Sequence, residues 1–233
     1  MNNNKLGDLG FAAINHELLK SETYVETLNV AYNSIKEIRL YVPLEVGSDR
    51  IYSVTNLYLD GNIFKSYTKH RLAALLTQAA PLTMISFMKC KLEDDGLVIM
   101  FEAISQLRRV KKIDFSYNNI FDKGIKGICN YIGGSVKSVI ESIKFNNNEI
   151  SDRGFRRLFA AIEKNVNTIT ELSFVENDLS DEGAFFLYNW LKRIRLIDVP
   201  HNLNLVQCDL SLNKIMHKTV REVETQLAVN RKF

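Results

Sequence analysis

One pattern of apolar and polar positions recurs along the whole chain. It reads apolar-x-x-apolar-x-apolar-x-x-Asn-x-apolar, and in one copy a cysteine replaces the asparagine. The residues at that position, called ladder residues below, are Asn33, Asn62, Cys90, Asn118, Asn148, Asn177 and Asn213, and a half-copy at the start adds Asn4. Their separations are 29, 29, 28, 28, 30, 29 and 36 residues. A period of this length predicts a solenoid, because each unit is too small to bury its apolar face alone.

Each period divides into a strand and a helix. Leu172 and Phe174, before Asn177, are apolar at a spacing of two, the period of a strand with one buried face. After Asn148, apolar residues recur at spacings of three and four from Phe155 to Ile162, which predicts one helical stripe. Acidic residues precede or open the helices, where a carboxylate can satisfy free amide donors. These residues are Asp95, Asp122, Asp152 and Asp181.

The ladder asparagines are interpreted as structural. A side-chain amide carries two donors and an acceptor, and the turn that leaves each strand presents backbone groups without sheet partners. We therefore expect the amides to hydrogen-bond along the solenoid, with Cys90 as a small, buriable substitute that has a weak donor.

The segment from Leu172 to Gly183, followed by Leu187 and Leu191, and the near copies that start at Ile113 and Ile143, resemble the leucine-rich-repeat family in its ribonuclease-inhibitor-like class. The resemblance covers nearly the whole chain. It implies an α/β fold: a right-handed solenoid bent into a horseshoe arc, with a parallel sheet on the concave face and helices on the convex face. It implies no particular activity, because function in such scaffolds depends on the exposed positions.

We expect one domain over residues 1–233, with an N-terminal cap helix in 1–24, repeats in 25–204, and the last strand and C-terminal cap helix in 205–233. Because the chain enters in the middle of a repeat, a truncated chain fits the start equally well. Two segments break the pattern. Residues 39–47 contain Pro43 and predict extended or irregular chain, whereas 195–204 contain Pro200 and predict a loop or an extra short strand.

Composition narrows the functional classes. Thirty basic and 27 acidic residues give a net charge of +3, too mixed to indicate nucleic-acid binding. No apolar run approaches the ~20 residues that span a bilayer. The four histidines have no partner at metal-ligand or triad spacing, and the three cysteines fit buried structural positions in a reducing compartment. We expect a cytoplasmic, monomeric protein that is no enzyme and uses no cofactor or metal.

Alternate strand positions face away from the core, so the concave sheet is the place to look for function. Its central strip mixes aromatic, flexible apolar and charged side chains, which suits a protein interface. The predicted partner-binding residues are Tyr58, Asp60, Met88, Lys112, Asp114, Tyr117, Lys144, Glu171 and Glu176. The competing interpretation is a solvated face without a partner.

The leading hypothesis is a protein interaction module that holds a protein partner on this concave face. The alternative is a GTPase-activating protein, because similar repeats build the activators of the Ran GTPase. Short repeat proteins rich in Asn, Ile and Lys also resemble the leucine-rich-repeat effectors that intracellular bacteria such as Legionella deliver into host cells. That resemblance would imply secretion into a host cell and action there.

Overall fold

The computed structural model describes residues 1–20, 25–38, 54–77, 81–133, 139–164, 168–196 and 205–230. Within these ranges strands and helices alternate from the second strand onward. The strands are β1 (Thr27–Asn29), β2 (Asn56–Tyr58), β3 (Met84–Ser86), β4 (Lys112–Asp114), β5 (Ser142–Lys144), β6 (Glu171–Ser173) and β7 (Gln207–Asp209). The helices are α1 (Gly7–Lys20), α2 (Ser66–Thr77), α3 (Glu93–Ser105), α4 (Asp122–Ile132), α5 (Asp152–Lys164), α6 (Asp181–Leu196) and α7 (His217–Asn230).

The strands form one parallel sheet in which each strand pairs with its neighbours in sequence, in the order β1-β2-β3-β4-β5-β6-β7. The register repeats without a slip, so that Ile113, for example, is the Cα partner of Ile85 on one side and of Ile143 on the other. From α2 to α7 each helix packs on the next one in the chain. This is the layered strand-and-helix solenoid predicted from the period.

Between the two layers lies a continuous apolar core. The middle residue of every strand is buried, and so are the apolar residues of the helical stripes. Four phenylalanines stack along the solenoid axis, with ring centroids 5.6 Å apart for Phe87 and Phe115, 5.9 Å for Phe115 and Phe145, and 5.6 Å for Phe145 and Phe174. Each repeat thus completes its core only through the next one.

The ladder amides bond the repeats together where the chain leaves each strand. The Oδ1 atom of Asn118 accepts from the backbone N–H groups of Cys90 at 3.1 Å and Leu92 at 3.0 Å in the preceding repeat. Its Nδ2 atom donates to the carbonyl oxygens of Phe87 at 2.8 Å and Phe115 at 3.0 Å. Asn33, Asn62, Asn148 and Asn213 accept the same pair of bonds from the repeat before them. The structural interpretation of the ladder is confirmed.

Cys90 provides only part of this pattern. Its thiol donates to the Leu59 carbonyl oxygen at 3.3 Å, but it has no amide oxygen to offer the preceding repeat. The backbone N–H of Asn62 reaches the Leu59 oxygen instead, at 3.4 Å.

The residue before each ladder residue has a positive φ, as in Tyr32 (53°) and Tyr117 (60°), and this left-handed turn directs the chain into the next segment.

Carboxylates at the helix starts form a second set of bonds between repeats. Asp152 opens α5 as expected, but its Oδ1 accepts from the Ser180 N–H in the next repeat at 2.9 Å, and its Oδ2 accepts from the Ser180 hydroxyl. Asp122 binds Ser151 in the same way. In α3 this role falls to Asp94, whose Oδ1 accepts from Phe121 N–H, whereas Asp95 forms an exposed ion pair with Lys123. The amide donors that these carboxylates satisfy therefore belong to the following repeat. The prediction that Asp95 accepts from a free amide was wrong, because Asp94 does so instead.

The same carboxylates explain a glycine early in each of these helices. A Cβ built on Gly183 would lie 2.2 Å from Asp152 Oδ1, and one built on Gly154 would lie 2.3 Å from Asp122 Oδ1. Neither glycine has a positive φ. These positions therefore require glycine because of close contact between repeats, and its backbone freedom is not the reason.

The last strand, expected within residues 205–233, is confirmed as β7. Residues 39–47 and 197–204 lie outside the described residues. Residues 195 and 196, predicted as part of a loop or short strand, belong to helix α6 instead. The division into one domain with cap segments stays a prediction.

We expect Gly183→Ala to lower the unfolding free energy by about 1–3 kcal/mol, since the new methyl group displaces the Asp152 carboxylate from Ser180. In an unobstructed helix interior the same change adds about 1 kcal/mol of stability. Urea unfolding followed by circular dichroism measures the difference.

The control is the same substitution in an Asp152→Ala background, where the nearest remaining side-chain atom is the Cβ of residue 152 at 3.7 Å. There the change to alanine is expected to stabilise. A stabilising effect in the wild-type background would contradict the close-contact explanation.

Candidate protein-binding surface

The outward positions of the short strands lie in register across the sheet. Lys112 is the Cα partner of Ser142, which in turn is the partner of Glu171, while Asp114 is the partner of Lys144. Adjacent strands of a sheet are about 4.8 Å apart, so these charged side chains occupy one small patch over β4, β5 and β6. The sheet therefore brings together four of the nine predicted partner-binding residues.

A recurring backbone N–H group on this face is bound by side chains. This group is the N–H of the residue two positions before a ladder residue, and in five repeats it donates to a nearby side-chain oxygen. Within one repeat it donates to Asn29 Oδ1 (from Ala31, 3.1 Å), Asp114 Oδ1 (from Ser116, 2.9 Å) and Asp209 Oδ1 (from Ser211, 3.0 Å). Between repeats it donates to Asp60 Oδ1 (from Met88, 2.9 Å) and Asn146 Oδ1 (from Val175, 2.9 Å). Part of the polar concave face therefore stabilises the turn.

Asp60 belongs to this internal set. Its exposed fraction is only 9%, and its carboxylate accepts from the Met88 N–H and from the Ser86 hydroxyl. The expectation that this side chain faces solvent is therefore wrong, because the next repeat covers it. Burial raises the pKa of Asp60 above its usual 3.8, and the bonds from Ser86 and Met88 oppose that shift.

Asn146 makes the equivalent contacts three repeats later without a charge. Its Oδ1 accepts from the Ser173 hydroxyl at 2.6 Å and from the Val175 N–H at 2.9 Å. An amide therefore satisfies this position as well as a carboxylate does, and the charge of Asp60 is not needed for the bonds.

Lys112, Lys144 and Glu171 differ from the other charges of the sheet. All three are exposed, and within the part of the chain that the structure describes none of their side chains forms an ion pair or hydrogen bond. Elsewhere many charges are paired between repeats, as in Lys111 with Glu141 at 2.7 Å and Arg193 with Glu163 at 2.6 Å. The central concave charges are thus left available to a partner.

The rim beside this patch carries aromatic and polar side chains on the left-handed turns. The Lys89 ammonium lies over the Tyr117 ring, 4.7 Å from its centroid, and Tyr117 is 42% exposed. Glu176 is exposed but accepts a hydrogen bond from the Asn147 amide. Tyr58 and Met88 are half-buried on β2 and just after β3. Tyr117 is therefore the exposed aromatic side chain of the rim, whereas Tyr58 lies two strands away from β4.

Other chemistry is not assembled in the described ranges. No three His, Cys, Asp or Glu side chains there are grouped as metal ligands. Burial raises the pKa of the Cys90 and Cys208 thiols, so both are protonated and unreactive at neutral pH. No described helix combines the length and apolar character needed to cross a bilayer.

Two serines that hydrogen-bond the polar side chains of this face were not predicted from the sequence. Ser86 and Ser173, the hydroxyl donors to Asp60 and Asn146, stand four residues before a ladder residue and looked like free outward positions. Their pairing with a polar residue one repeat earlier, at a separation of 26 or 27 residues, is the signal that could have identified them.

We expect Asp60→Asn to raise the unfolding free energy at pH 7 by about 1 kcal/mol, because the amide keeps the acceptor for Met88 and Ser86 without a buried charge. The pKa of Asp60 is raised by folding, so the wild type loses stability as the pH rises through that pKa. The advantage of the variant should therefore shrink as the pH falls toward 3.8. Urea unfolding at pH 7 and pH 4 measures both effects, and a variant that is less stable at pH 7 would contradict them.

Comparison with known proteins identifies the repeat. The family profile described as "Leucine Rich repeat" matches residues 108–129 and 167–187. The chain is similar to human NACHT, LRR and PYD domains-containing protein 13, with 26% identity over 194 residues, which are 83% of this chain and 18% of that protein. It is also similar to mouse NACHT, LRR and PYD domains-containing protein 4B, with 21% identity over 180 residues, 76% of this chain and 20% of that protein. The chain thus spans about a fifth of the length of these relatives.

The fold is also similar to a solved structure, the tropomodulin C-terminal domain from Caenorhabditis elegans. The TM-score is 0.53 at 12% identity, over 70% of this chain and 93% of that domain. This likeness supports the fold alone. Together with the repeat profile and the seven-stranded parallel sheet, it leads to one conclusion: the chain contains leucine-rich repeats and has the fold of a leucine-rich-repeat solenoid.

Proposed function

We propose that the protein is an interaction module that holds a protein partner on the concave sheet, centred on β4, β5 and β6. The observation that carries the proposal is the unpaired state of the exposed Lys112, Lys144 and Glu171 side chains. Charges that gain no partner within the fold contribute little to its stability but give orientation and selectivity to an interface.

The border of this patch supports the same proposal. Tyr117 presents an aromatic ring held on one side by Lys89, and Met88 adds a flexible apolar side chain nearby. Aromatic anchors beside charged groups are typical of the centres of protein interfaces. Asp60 and Asp114 contribute less than the sequence suggested, because each already accepts a backbone N–H. A partner segment with carboxylates opposite Lys112 and Lys144 fits this surface best.

The GTPase-activating alternative gains no support from the strands. Such activators place an arginine against the GTPase, and none of the seven described strands contains an arginine. The action as a bacterial effector in a host cell, and the cytoplasmic location, stay predictions.

We expect the double charge reversal Lys112→Glu, Lys144→Glu to weaken partner binding by about 100-fold or more, since like charges then face each other across the interface. The fold should be unchanged, because neither side chain has a partner in it. The measurement is affinity capture from eukaryotic lysate with the wild type and the variant side by side, with circular dichroism as the check of folding.

Lys126→Glu is the matched control, because Lys126 is exposed on helix α4, away from the sheet. Partners retained by the wild type and this control, but lost with the double reversal, support the concave face. Equal retention by all three proteins would remove the assignment to this face.

A further inference from the structure

One helix carries a lysine where the other described repeats have an apolar residue. Lys69 stands seven residues after its ladder residue. The same position holds Phe11, Leu97, Ile125, Phe155, Ala184 and Val220 in the other repeats whose helices are described. Lys69 is only 5% exposed, so the fold buries a charged side chain in a core position.

The buried ammonium of Lys69 is incompletely satisfied. Its Nζ atom donates to the Leu92 carbonyl oxygen at 2.7 Å, and the nearest carboxylate oxygen, on Glu93, is 3.9 Å away. An ammonium group has three donors, and a buried charge is costly unless it is paired and fully hydrogen-bonded. The Leu92 oxygen also accepts from the Gly96 N–H at 3.1 Å, so it does not depend on Lys69. Hydrogen bonding of the Leu92 carbonyl oxygen therefore does not by itself require a lysine at position 69.

Lys69 lies at the wall of an open groove of about 490 Å³ between α2, α3 and the turns that precede them. Three more lysines line the groove, Lys36, Lys65 and Lys91, against the single carboxylate of Glu93. Lys65 is engaged by Glu37 at 2.6 Å, whereas Lys36 and Lys91 are exposed and form no ion pair within the described residues. Ile63, 57% exposed, adds apolar surface.

We propose that this basic groove, lined by Lys36, Lys65, Lys69 and Lys91, binds an acidic segment of a protein partner, with one carboxylate reaching the buried ammonium of Lys69. The charge of the lining selects an anionic ligand, and the apolar contact at Ile63 favours a polypeptide over a free ion. The groove lies where the chain passes from strand to helix, so this contact is separate from the concave patch over β4 to β6.

The direct test uses a fluorescein-labelled hexaglutamate peptide and measures its fluorescence anisotropy. Lys69→Met should weaken binding about tenfold, the size expected for a lost hydrogen bond between charged groups. The fold should keep or gain stability, because methionine suits a position that is apolar in the other repeats. Lys91→Glu, at an exposed site without a bond in the fold, should weaken binding as well.

The controls are Lys126→Met and Lys126→Glu on α4, and both should keep the peptide affinity. The double reversal of Lys112 and Lys144 is measured beside them to show whether the peptide binds the concave patch instead. Affinity that is the same for Lys69→Met as for wild type, or that is lost only with the double reversal, would overturn the proposal. Two further results would also overturn the proposal. One is a hexathymidylate oligonucleotide that binds as tightly as the peptide, and the other is inorganic phosphate that displaces the peptide at equal concentration. Loss of stability in Lys69→Met with unchanged binding would make Lys69 purely structural.

Discussion

The structure depends on how neighbouring repeats satisfy each other's backbone N–H groups. A parallel sheet of three-residue strands pairs few of its own donors, and the chain then turns sharply through a left-handed residue. Three kinds of side chain supply the missing acceptors: the ladder amides, the carboxylates that open the helices, and the polar residues of the concave face. The ladder amides, the helix-opening carboxylates and, on the concave face, Asp60 and Asn146 act across a seam between repeats. Register is therefore fixed by directional bonds as well as by the apolar core.

This requirement also determines which concave residues are available for function. A polar side chain that accepts a seam N–H, such as Asp60, has little capacity left for a partner. A charged side chain without such a bond, such as Lys144, contributes little to the fold and can serve recognition. Lys69 departs from the pattern in a different way, because its charged side chain is buried at a position that is apolar in the other described repeats. Both kinds of departure point to binding.

Much of the architecture was predictable from the sequence, because the period of the ladder residues identifies strands, helices and buried faces together. The last strand could be placed before Asn213 because the same apolar pattern precedes that ladder residue. The candidate surface was less predictable. Alternation along a strand separates inward from outward positions, but it does not show that Asp60 is covered by Ser86 and Met88 of the next repeat. Asp94 and Asp95 are likewise equivalent in type, and only the path of the turn decides which one bonds to Phe121.

The most direct test of the role of these seams is residue-resolved amide hydrogen exchange of the folded protein. The N–H groups of Leu92, Ile120 and Leu179 donate to a side-chain oxygen of Asn118, Asn148 and Asn213, respectively. They should exchange as slowly as the sheet amides of Phe115 and Phe145, which donate to backbone carbonyls. Exchange of these three amides at the rate of an unfolded peptide, while the sheet amides stay protected, would contradict the account.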